Sequence, residues 1–400
     1  MNVLFINANL HGHINPTLGL VNKLTRRGNR VDYFCSEPFS RSVEKMGARC
    51  IGYSDRLEQF LKEYRPTDRH PFFMLTEYML LYDEAVLPEI LDILVKDRYD
   101  LIICDSYFGG ACFLKQMTSI PLVSSHSSFA MSHTPVPPRM LEPGFHPQLD
   151  HCRRILDRIC DNHQIEPPTL EQVFTSKSEL NIVYTTRSFN GDEEVHEPEY
   201  LFVGPSMDRL QDGNNLEFSM VNGRKMIYIS LGSVNTDFVE FYKTCIAAFR
   251  ETDYYVFMSV GTKINISELG NIPENFQVKG FLPQLEILKR ADVFITHAGF
   301  NSVSEALYFG VPMLALPQVN DQHMVAKRIV AMQLGMTECM SELSSESLRS
   351  KTEELILNVQ IKSNCMRMSQ EMRQSANLDQ AVIELEKFAD SGKARQKKWQ

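Results

Sequence analysis

Short apolar strand patterns alternate with helical patterns along this chain, and that alternation limits the folds it can adopt. Residues 3–6 are an unbroken apolar run inside a strand predicted over 2–9, as is typical of strands buried on both faces. A helix predicted over 17–27 ends before Gly28, and residues 30–35 form the next strand. A strand, a helix and a second strand make up the unit from which parallel sheets are built.

This alternation occurs in two sets, separated by a polar segment over 206–223 that is rich in Gly and Asn. We predict an α/β protein with two Rossmann-like domains, 1–205 and 224–379, joined by that linker. Two such halves imply a cleft between them, where α/β proteins bind ligands. The other predicted strands cover 100–104, 121–125, 181–185, 200–204, 226–230, 254–260, 276–280, 292–296 and 312–316, and only helices are expected beyond 344.

Composition excludes several classes of protein. The 400 residues are 43% hydrophobic, which is too apolar for a disordered chain. A net charge of −9 disfavours nucleic-acid binding, which needs a basic surface. Nine scattered cysteines without a C-x-x-C pair favour free thiols in a cytoplasmic protein over zinc sites. Without a signal peptide or a transmembrane stretch in the sequence, we expect no membrane span.

The strongest local motif is the segment over 296–312, where a strand leads through a glycine turn into a helix. Asn301 and Ser302 fall where N-cap and first-turn residues lie. The positive end of this helix dipole is an anion site, to which His297 could add a donor. Glu305, one turn on, could hold the paired hydroxyls of a ribose. A capped helix with an incidental histidine is the alternative interpretation.

The set formed by His297, Gly299, Asn301, Ser302 and Glu305 resembles the nucleotide-sugar signature of family 1 glycosyltransferases. These GT-B enzymes include plant UDP-glycosyltransferases and bacterial macrolide glycosyltransferases. The resemblance covers nearly the whole chain and is closest to the macrolide branch. It implies a UDP-sugar co-substrate, with no metal and no other cofactor.

Other segments match the family in the same order along the chain. Plant enzymes usually carry Trp where this chain has Phe281, and often where it has Phe300, so the base could be uracil or thymine. The resemblance implies that Gly232 and Ser233 face the donor phosphates, that Phe281, Leu282 and Gln284 surround the nucleobase and ribose, and that Asp321 and Gln322 bind the donor sugar.

His13 is the candidate catalytic base of the N-terminal half. It lies beyond the carboxyl end of the first strand, where α/β sheets bind ligands, and a neutral imidazole can take a proton from a hydroxyl. Asp105, at another strand end, is the natural partner that would orient the ring. The family's Gly-His-x-x-Pro segment corresponds to residues 12–16, which favours His13 over His11. A turn histidine that only bonds the backbone is the alternative.

The acceptor pocket is harder to locate from sequence. Residues 71–81 carry many large apolar side chains, and a helix facing the core is the favoured interpretation. Aromatic and Met side chains also suit a permissive pocket. The candidates for its lining are Phe72, Phe73, Tyr78, Phe108, His126, Phe129 and Met131.

These patterns and the resemblance together predict an inverting glycosyltransferase. It would move a hexose to a hydroxyl of a small apolar acceptor such as a phenol, flavonoid or macrolide. The expected hexose is glucose, with UDP-glucose as the donor. A GT-B-fold nucleotide-sugar epimerase and a non-catalytic nucleotide-sugar-binding protein are the alternatives. The family's fold also implies that a final helix over 380–400 packs back onto the first domain.

Overall fold

A computed structural model describes residues 1–54, 59–60, 63, 65, 71–107, 110–207, 216, 218–232, 238–319, 321–375 and 377–396. The chain divides into two compact units. Unit 1 comprises Met1–Arg209 and Ala376–Gln400, and unit 2 comprises Leu210–Ser375. Much of the expected linker, residues 208–215 and 217, lies outside the described residues. Within the described part, no helix is both long and apolar enough to cross a membrane.

Unit 1 is built on a parallel sheet, as the unbroken apolar runs predict. In its described residues, seven strands are ordered β3-β2-β1-β4-β5-β6-β7. β1 lies between β2 and β4 and pairs in parallel with both. The strands are β1 (Asn2–Ile6), β2 (Arg30–Phe34), β3 (Arg49–Ile51), β4 (Leu101–Asp105), β5 (Leu122–His126), β6 (Leu180–Val183) and β7 (Tyr200–Phe202).

Helices connect these strands, and apolar side chains fill the space between sheet and helices on each face. The helices are α1 (His11–Arg26), α2 (Glu37–Lys45), α3 (Pro71–Lys96), α4 (Gly110–Met117), α5 (Pro147–His163), α6 (Leu170–Thr175) and α7 (Arg187–Asn190).

The helix predicted over 17–27 begins earlier, at His11, so the predicted start was wrong. Pro16 lies inside the helix, where a proline removes one backbone hydrogen bond. Ile14, Leu18 and Val21 are buried on one face of this helix. Their burial against the sheet outweighs the local cost of the proline. The glycine and proline in the sequence therefore placed the start of the helix too late. The consequence is that His13 stands on the first turn of α1.

Unit 2 repeats the architecture. In its described residues, six parallel strands are ordered β10-β9-β8-β11-β12-β13. The last strand, Gly335–Thr337, was not predicted, because three residues at a sheet edge leave no clear pattern. The elements are β8 (Lys225–Ser230), α8 (Val239–Phe249), β9 (Tyr254–Ser259), β10 (Phe276–Lys279), α9 (Gln284–Leu288), β11 (Val293–Thr296), α10 (Phe300–Phe309), β12 (Met313–Ala315), α11 (Asp321–Ala331), β13 (Gly335–Thr337), α12 (Ser345–Leu357) and α13 (Val359–Ser375).

The last helix, α14 (Leu378–Gln396), packs on α1 within unit 1. Its buried side chains belong to the same apolar cluster as the inner face of α1. Two ion pairs border the contact, Lys23 with Asp379 and Arg27 with Glu386, each at 2.8 Å. Exposed pairs like these contribute little to stability, so apolar burial is the main force that holds α14. The buried residues of α14 in this cluster are Leu378, Ala381, Val382, Leu385 and Ala389.

Replacing Leu385 by alanine tests this attachment. The side chain is fully buried, so Leu385→Ala should lower the free energy of unfolding by about 2–5 kcal/mol through the cavity it leaves. Urea unfolding at equilibrium measures the change. The exposed Gln380 on the same helix is the matched control, and Gln380→Ala should cost less than about 0.5 kcal/mol. Equal costs for the two variants would contradict the packing described.

Candidate active site

Three neighbouring strands of unit 1 end at the same edge of the sheet. β1, β4 and β5 are adjacent and parallel, so their carboxyl ends lie side by side. α1 follows β1 after a short loop, Asp105 is the last residue of β4, and Ser127 follows β5 directly. The register therefore gathers side chains that are up to 114 residues apart in sequence.

His13 and Asp105 form a hydrogen-bonded pair at this edge. Nδ1 of His13 lies 2.8 Å from Oδ2 of Asp105. The other carboxylate oxygen, Oδ1, accepts the backbone N–H of Tyr107 at 2.8 Å. Asp105 is fully buried, whereas the His13 side chain is partly exposed. A carboxylate at Nδ1 favours the tautomer that carries its proton there, which leaves Nε2 as the basic nitrogen.

Ser127 is a member of this cluster that sequence reasoning missed. Its Oγ lies 2.8 Å from Nδ1 of His13, and the residue is buried. Serine in a loop rich in Ser and His carries no signal of its own. The available signal was the position of Ser127 just after β5. Using that signal requires knowing that β5 lies beside β4, which the sequence alone does not show.

A buried polar network, also missed, holds the backbone at His13. Nδ2 of Asn7 donates to the carbonyl of His13 at 3.0 Å and lies 2.7 Å from the hydroxyl of Tyr33. That hydroxyl lies 2.8 Å from Oγ1 of Thr17, on the second turn of α1. Asn7, Tyr33 and Thr17 are all buried. Satisfied buried networks are rigid, so the first turns of α1 are anchored to β1 and β2.

The predicted acceptor-pocket residues are spread over different surroundings. Phe72, Phe73 and Phe129 are at most 9% exposed, and the first two lie in the main apolar cluster of unit 1. Tyr78 and Met131 are half-buried, and Phe108 lies outside the described residues. The favoured interpretation of 71–81 as a core-facing helix is confirmed for the two buried Phe residues of α3.

His126 is a core histidine in the structure. It is 3% exposed, and its Nε2 lies 3.3 Å from Oδ1 of Asn181. Burial lowers its pKa from 6.5 to about 4. The side chain is therefore neutral at pH 7, and it belongs to the interior of the sheet.

The turn between β11 and α10 in unit 2 has an unusual backbone. Ala298 is fully buried and has φ of +62°, a left-handed conformation that costs energy for a residue with a side chain. Gly299 caps α10, which begins at Phe300. Asn301 and Ser302 thus lie in the first turn and neither is the N-cap. Strain of this kind concentrates at ligand-binding turns.

His297 packs between two glycines at this turn. A Cβ on Gly232 would lie 2.7 Å from Cε1 of the ring, and a Cβ on Gly299 would also clash with it. Gly232 has φ of +83°, so glycine serves both conformation and space there. Burial lowers the pKa of His297 to about 4, against a hydrogen bond with the Ser230 backbone that raises it. The ring nitrogen Nδ1 is buried and has no hydrogen-bond partner among the described residues.

Gln284 and Glu305 form a second cluster in unit 2. Nε2 of Gln284 donates to Oε2 of Glu305 at 2.7 Å and lies 3.3 Å from Oγ of Ser302. The hydroxyl of Tyr228 donates to Oε1 of Gln284 at 3.2 Å. Glu305 is 4% exposed. The structure thus brings together Gln284, Ser302 and Glu305, which the sequence assigned to one ligand from separate segments.

The remaining donor-site candidates differ in exposure. Phe281 is 53% exposed, whereas Leu282 is buried. Asp321 begins α11. Oε1 of Gln322 accepts the N–H groups of Gln318 at 2.9 Å and of Val319 at 3.3 Å. The amide oxygen of Gln322 therefore holds its own loop. Ser233 lies outside the described residues.

Known proteins match both the sequence and the overall fold. A family model described as UDP-glucoronosyl and UDP-glucosyl transferase matches residues 214–389. The uncharacterized UDP-glucosyltransferase YdhE of Bacillus subtilis is 31% identical over 397 residues, covering 96% of this chain and 98% of YdhE. The chain belongs to the UDP-glycosyltransferase family. It is a UDP-dependent glycosyltransferase, as the motif over 297–305 led us to expect.

The macrolide-like branch and the fold are confirmed as well. The oleandomycin glycosyltransferase of Streptomyces antibioticus is 27% identical, covering 93% of this chain and 87% of that protein. The crystal structure of the kitacinnamycin glycosyltransferase superposes with a TM-score of 0.85 at 25% identity, covering 97% and 99% of the two chains. The fold is GT-B. In the described residues, no group of three or more His, Cys, Asp or Glu could hold a metal ion.

Replacing Glu305 by alanine tests the second cluster of this transferase. If the carboxylate holds the ribose, Glu305→Ala should weaken UDP binding by about 10- to 100-fold, the effect of losing hydrogen bonds to a charged group. Isothermal titration calorimetry with UDP measures this. Glu286→Ala, which removes an exposed carboxylate on α9, is the control. An unchanged UDP affinity with reduced turnover would reject the ribose assignment.

The buried His126 predicts a pH dependence of stability. The unfolded chain takes up a proton at this histidine below about pH 6.5, whereas the folded chain does so only near pH 4. The stability contributed by keeping it neutral is therefore complete above pH 6.5 and is lost as the pH falls from 6.5 through 4. Urea unfolding at pH 7 and pH 5 should show a smaller pH effect in His126→Gln. The exposed His196, replaced by Gln, should leave the pH effect unchanged, and an unchanged slope in His126→Gln would contradict the assignment.

Proposed function

We propose that this transferase moves a hexose to a hydroxyl of a small apolar acceptor such as a phenol, flavonoid or macrolide. The proposed hexose is glucose, and the proposed donor is UDP-glucose. Unit 1 binds the acceptor and unit 2 binds the nucleotide sugar. The observation that carries the proposal is the pair of His13 and Asp105, with 2.8 Å between Nδ1 and Oδ2. A protein that only bound nucleotide sugars would have no use for an oriented, partly exposed imidazole.

In the proposed reaction, Nε2 of His13 accepts the proton of the acceptor hydroxyl. A phenol or alcohol is a weak nucleophile until that proton is leaving. Buried Asp105 orients the ring and stabilises the imidazolium that forms. The hydroxyl oxygen attacks the anomeric carbon from the side opposite the leaving UDP, so an α-linked donor gives a β-linked product.

The leaving diphosphate gains negative charge as the sugar bond breaks. The amino end of α10, with the side chains of Asn301 and Ser302, is the proposed site of stabilisation. Gly232 and Gly299 leave room for the His297 ring beside the proposed phosphate site. A neutral His297 beside the turn would gain its second N–H when a diphosphate raises its pKa. Because this charge is larger in the transition state than in the bound donor, the site accelerates transfer as well as binding the donor.

The rest of the donor would lie over the second cluster. Phe281, with its exposed ring, stacks on the base, and Leu282 packs beneath it. Gln284 and Glu305 together hold the ribose hydroxyls, each fixed by the other. Asp321 and the NH₂ group of Gln322 contact the sugar and discriminate among donors. The name of YdhE, an uncharacterized UDP-glucosyltransferase, supports glucose as the first sugar to test.

The acceptor is assigned by class only. Tyr78 and Met131 are half-buried aromatic and flexible side chains in unit 1, and such surfaces accept varied apolar molecules. The name of the oleandomycin glycosyltransferase points to a natural-product acceptor for that enzyme. Nine free thiols, six of them buried, support a reducing cytoplasm as the site of action.

The central experiment is mass spectrometry of products from UDP-glucose and a panel of phenols, flavonoids and macrolides. The expected product is an acceptor carrying one hexose. UDP release that occurs equally without any acceptor would contradict transfer. UDP binding without a product would leave the donor site standing and reject glucose or the acceptor class.

Replacing His13 by alanine tests the base. His13→Ala should reduce kcat by about 10²–10⁴-fold and leave UDP affinity within about twofold, because the base contacts the acceptor and not the nucleotide. Initial rates with a substrate found in the panel, and calorimetry with UDP, measure the two quantities. His11→Ala is the matched control and should keep most of its activity. A parallel loss of UDP affinity and turnover would contradict the role.

A further inference from the structure

Two groups from different strands contact one nitrogen of the His13 ring. Oδ2 of Asp105 and Oγ of Ser127 each lie 2.8 Å from Nδ1. Asp105 ends β4, and Ser127 follows the end of β5. These strands are paired, with Asp105 opposite Ser125. Two strand ends in a fixed register therefore converge on one imidazole nitrogen.

A second partner changes what the first can do. With one acceptor, an imidazole can still rock about its hydrogen bond, whereas two acceptors from separate strands define the direction of the ring. Water does not compete with either partner for the hydrogen bond, because Asp105 is fully buried and Ser127 is 5% exposed. Hydrogen bonds in the low-dielectric interior of a protein are stronger than exposed ones.

We propose that Ser127 is a positioning residue of the transfer reaction, whose hydroxyl oxygen shares the Nδ1–H of His13 with Asp105 and keeps Nε2 aimed at the acceptor hydroxyl. The inference rests on the proposed role of His13 as the base. The carboxylate is the stronger acceptor and keeps the proton on Nδ1. A serine hydroxyl has two acceptor lone pairs and can take part of the same bond. Ser127 acts through His13 and contacts no substrate.

The same strand provides a matched control. Ser125 is fully buried, and its hydroxyl lies 3.0 Å from the hydroxyl of Tyr184. Removing it deletes a buried hydroxyl two residues from Ser127 but takes no partner from Nδ1. A comparison of Ser127→Ala with Ser125→Ala therefore separates positioning of the ring from the general cost of losing a buried hydroxyl.

Steady-state kinetics with UDP-glucose and the best phenol from the product panel give the first test. Ser127→Ala should lower kcat about tenfold, the effect of one lost hydrogen bond to a charged group. KM for both substrates should stay within about twofold of the wild-type value. Ser127→Thr keeps the hydroxyl and should recover most of kcat, and Ser125→Ala should match the wild type. A raised KM for UDP-glucose with unchanged kcat would assign Ser127 to donor binding and overturn the inference.

A measurement without substrate separates this inference from the proposed function. ¹⁵N NMR of histidine-labelled protein reports which ring nitrogen carries the proton, and His13→Ala assigns the signal. Ser127→Ala should shift the Nδ1–H signal, because that N–H then donates to Asp105 alone; Ser127→Thr should restore the signal, and Ser125→Ala should leave it unchanged. If Ser127→Ala does not fold, Ser127→Cys, a weak acceptor of similar size, should give the same shift.

The two results can be read independently. Unchanged ring signals in the Ser127 variants would overturn the inference whatever the kinetics. A shifted ring signal together with a fully active His13→Ala would keep Ser127 as the partner of the ring and reject His13 as the base.

Discussion

Parallel pairing of β1, β4 and β5 is the constraint on which the acceptor-side site depends. The register joins Ile6 with Cys104 and Asp105 with Ser125, so the residues beyond these strand ends emerge together at one edge. Strands buried on both faces cannot slip without exposing apolar side chains or breaking ladder hydrogen bonds. The packing of the core therefore also fixes where His13, Asp105 and Ser127 meet. Function here is positioned by a sheet whose own stability comes from apolar burial.

The same logic operates in unit 2 with a different kind of constraint. β8 and β11 are neighbours, and the turns after them bring Gly232 and His297 into contact. The imidazole occupies space that any Cβ would fill, which makes the glycines a spatial requirement. Ala298 accepts a left-handed backbone at the same turn. A chain that holds such strain has the surrounding packing to support it, and a tight turn lets α10 begin directly at the strand edge.

Hydrogen bonds between buried polar groups also fix the arrangement of the two sites. Asn7 connects the carbonyl of His13 to Tyr33, and Gln284 connects Tyr228 to Glu305. Each network joins a helix end to strands of the sheet beside it. A buried polar group without a partner is costly, so these networks favour one arrangement over near alternatives. They supply orientation at the sites, whereas the apolar clusters supply the stability.

Sequence alone determined the alternation of elements, the family, and several residues at the strand ends. Apolar runs are local signals, so the predicted strands agree with the structure to within a few residues, and His13 and Asp105 were identified because each follows such a run. The motif over 297–305 indicated the family because it, too, is a local signal. Only the tertiary structure decided that α1 begins at His11, that Ser127 faces Nδ1 of His13, that His126 points into the core and that Gln284 bonds Glu305. Each of these depends on which strands are neighbours and which faces are buried, and those relations arise between residues far apart in the chain, where no local pattern records them.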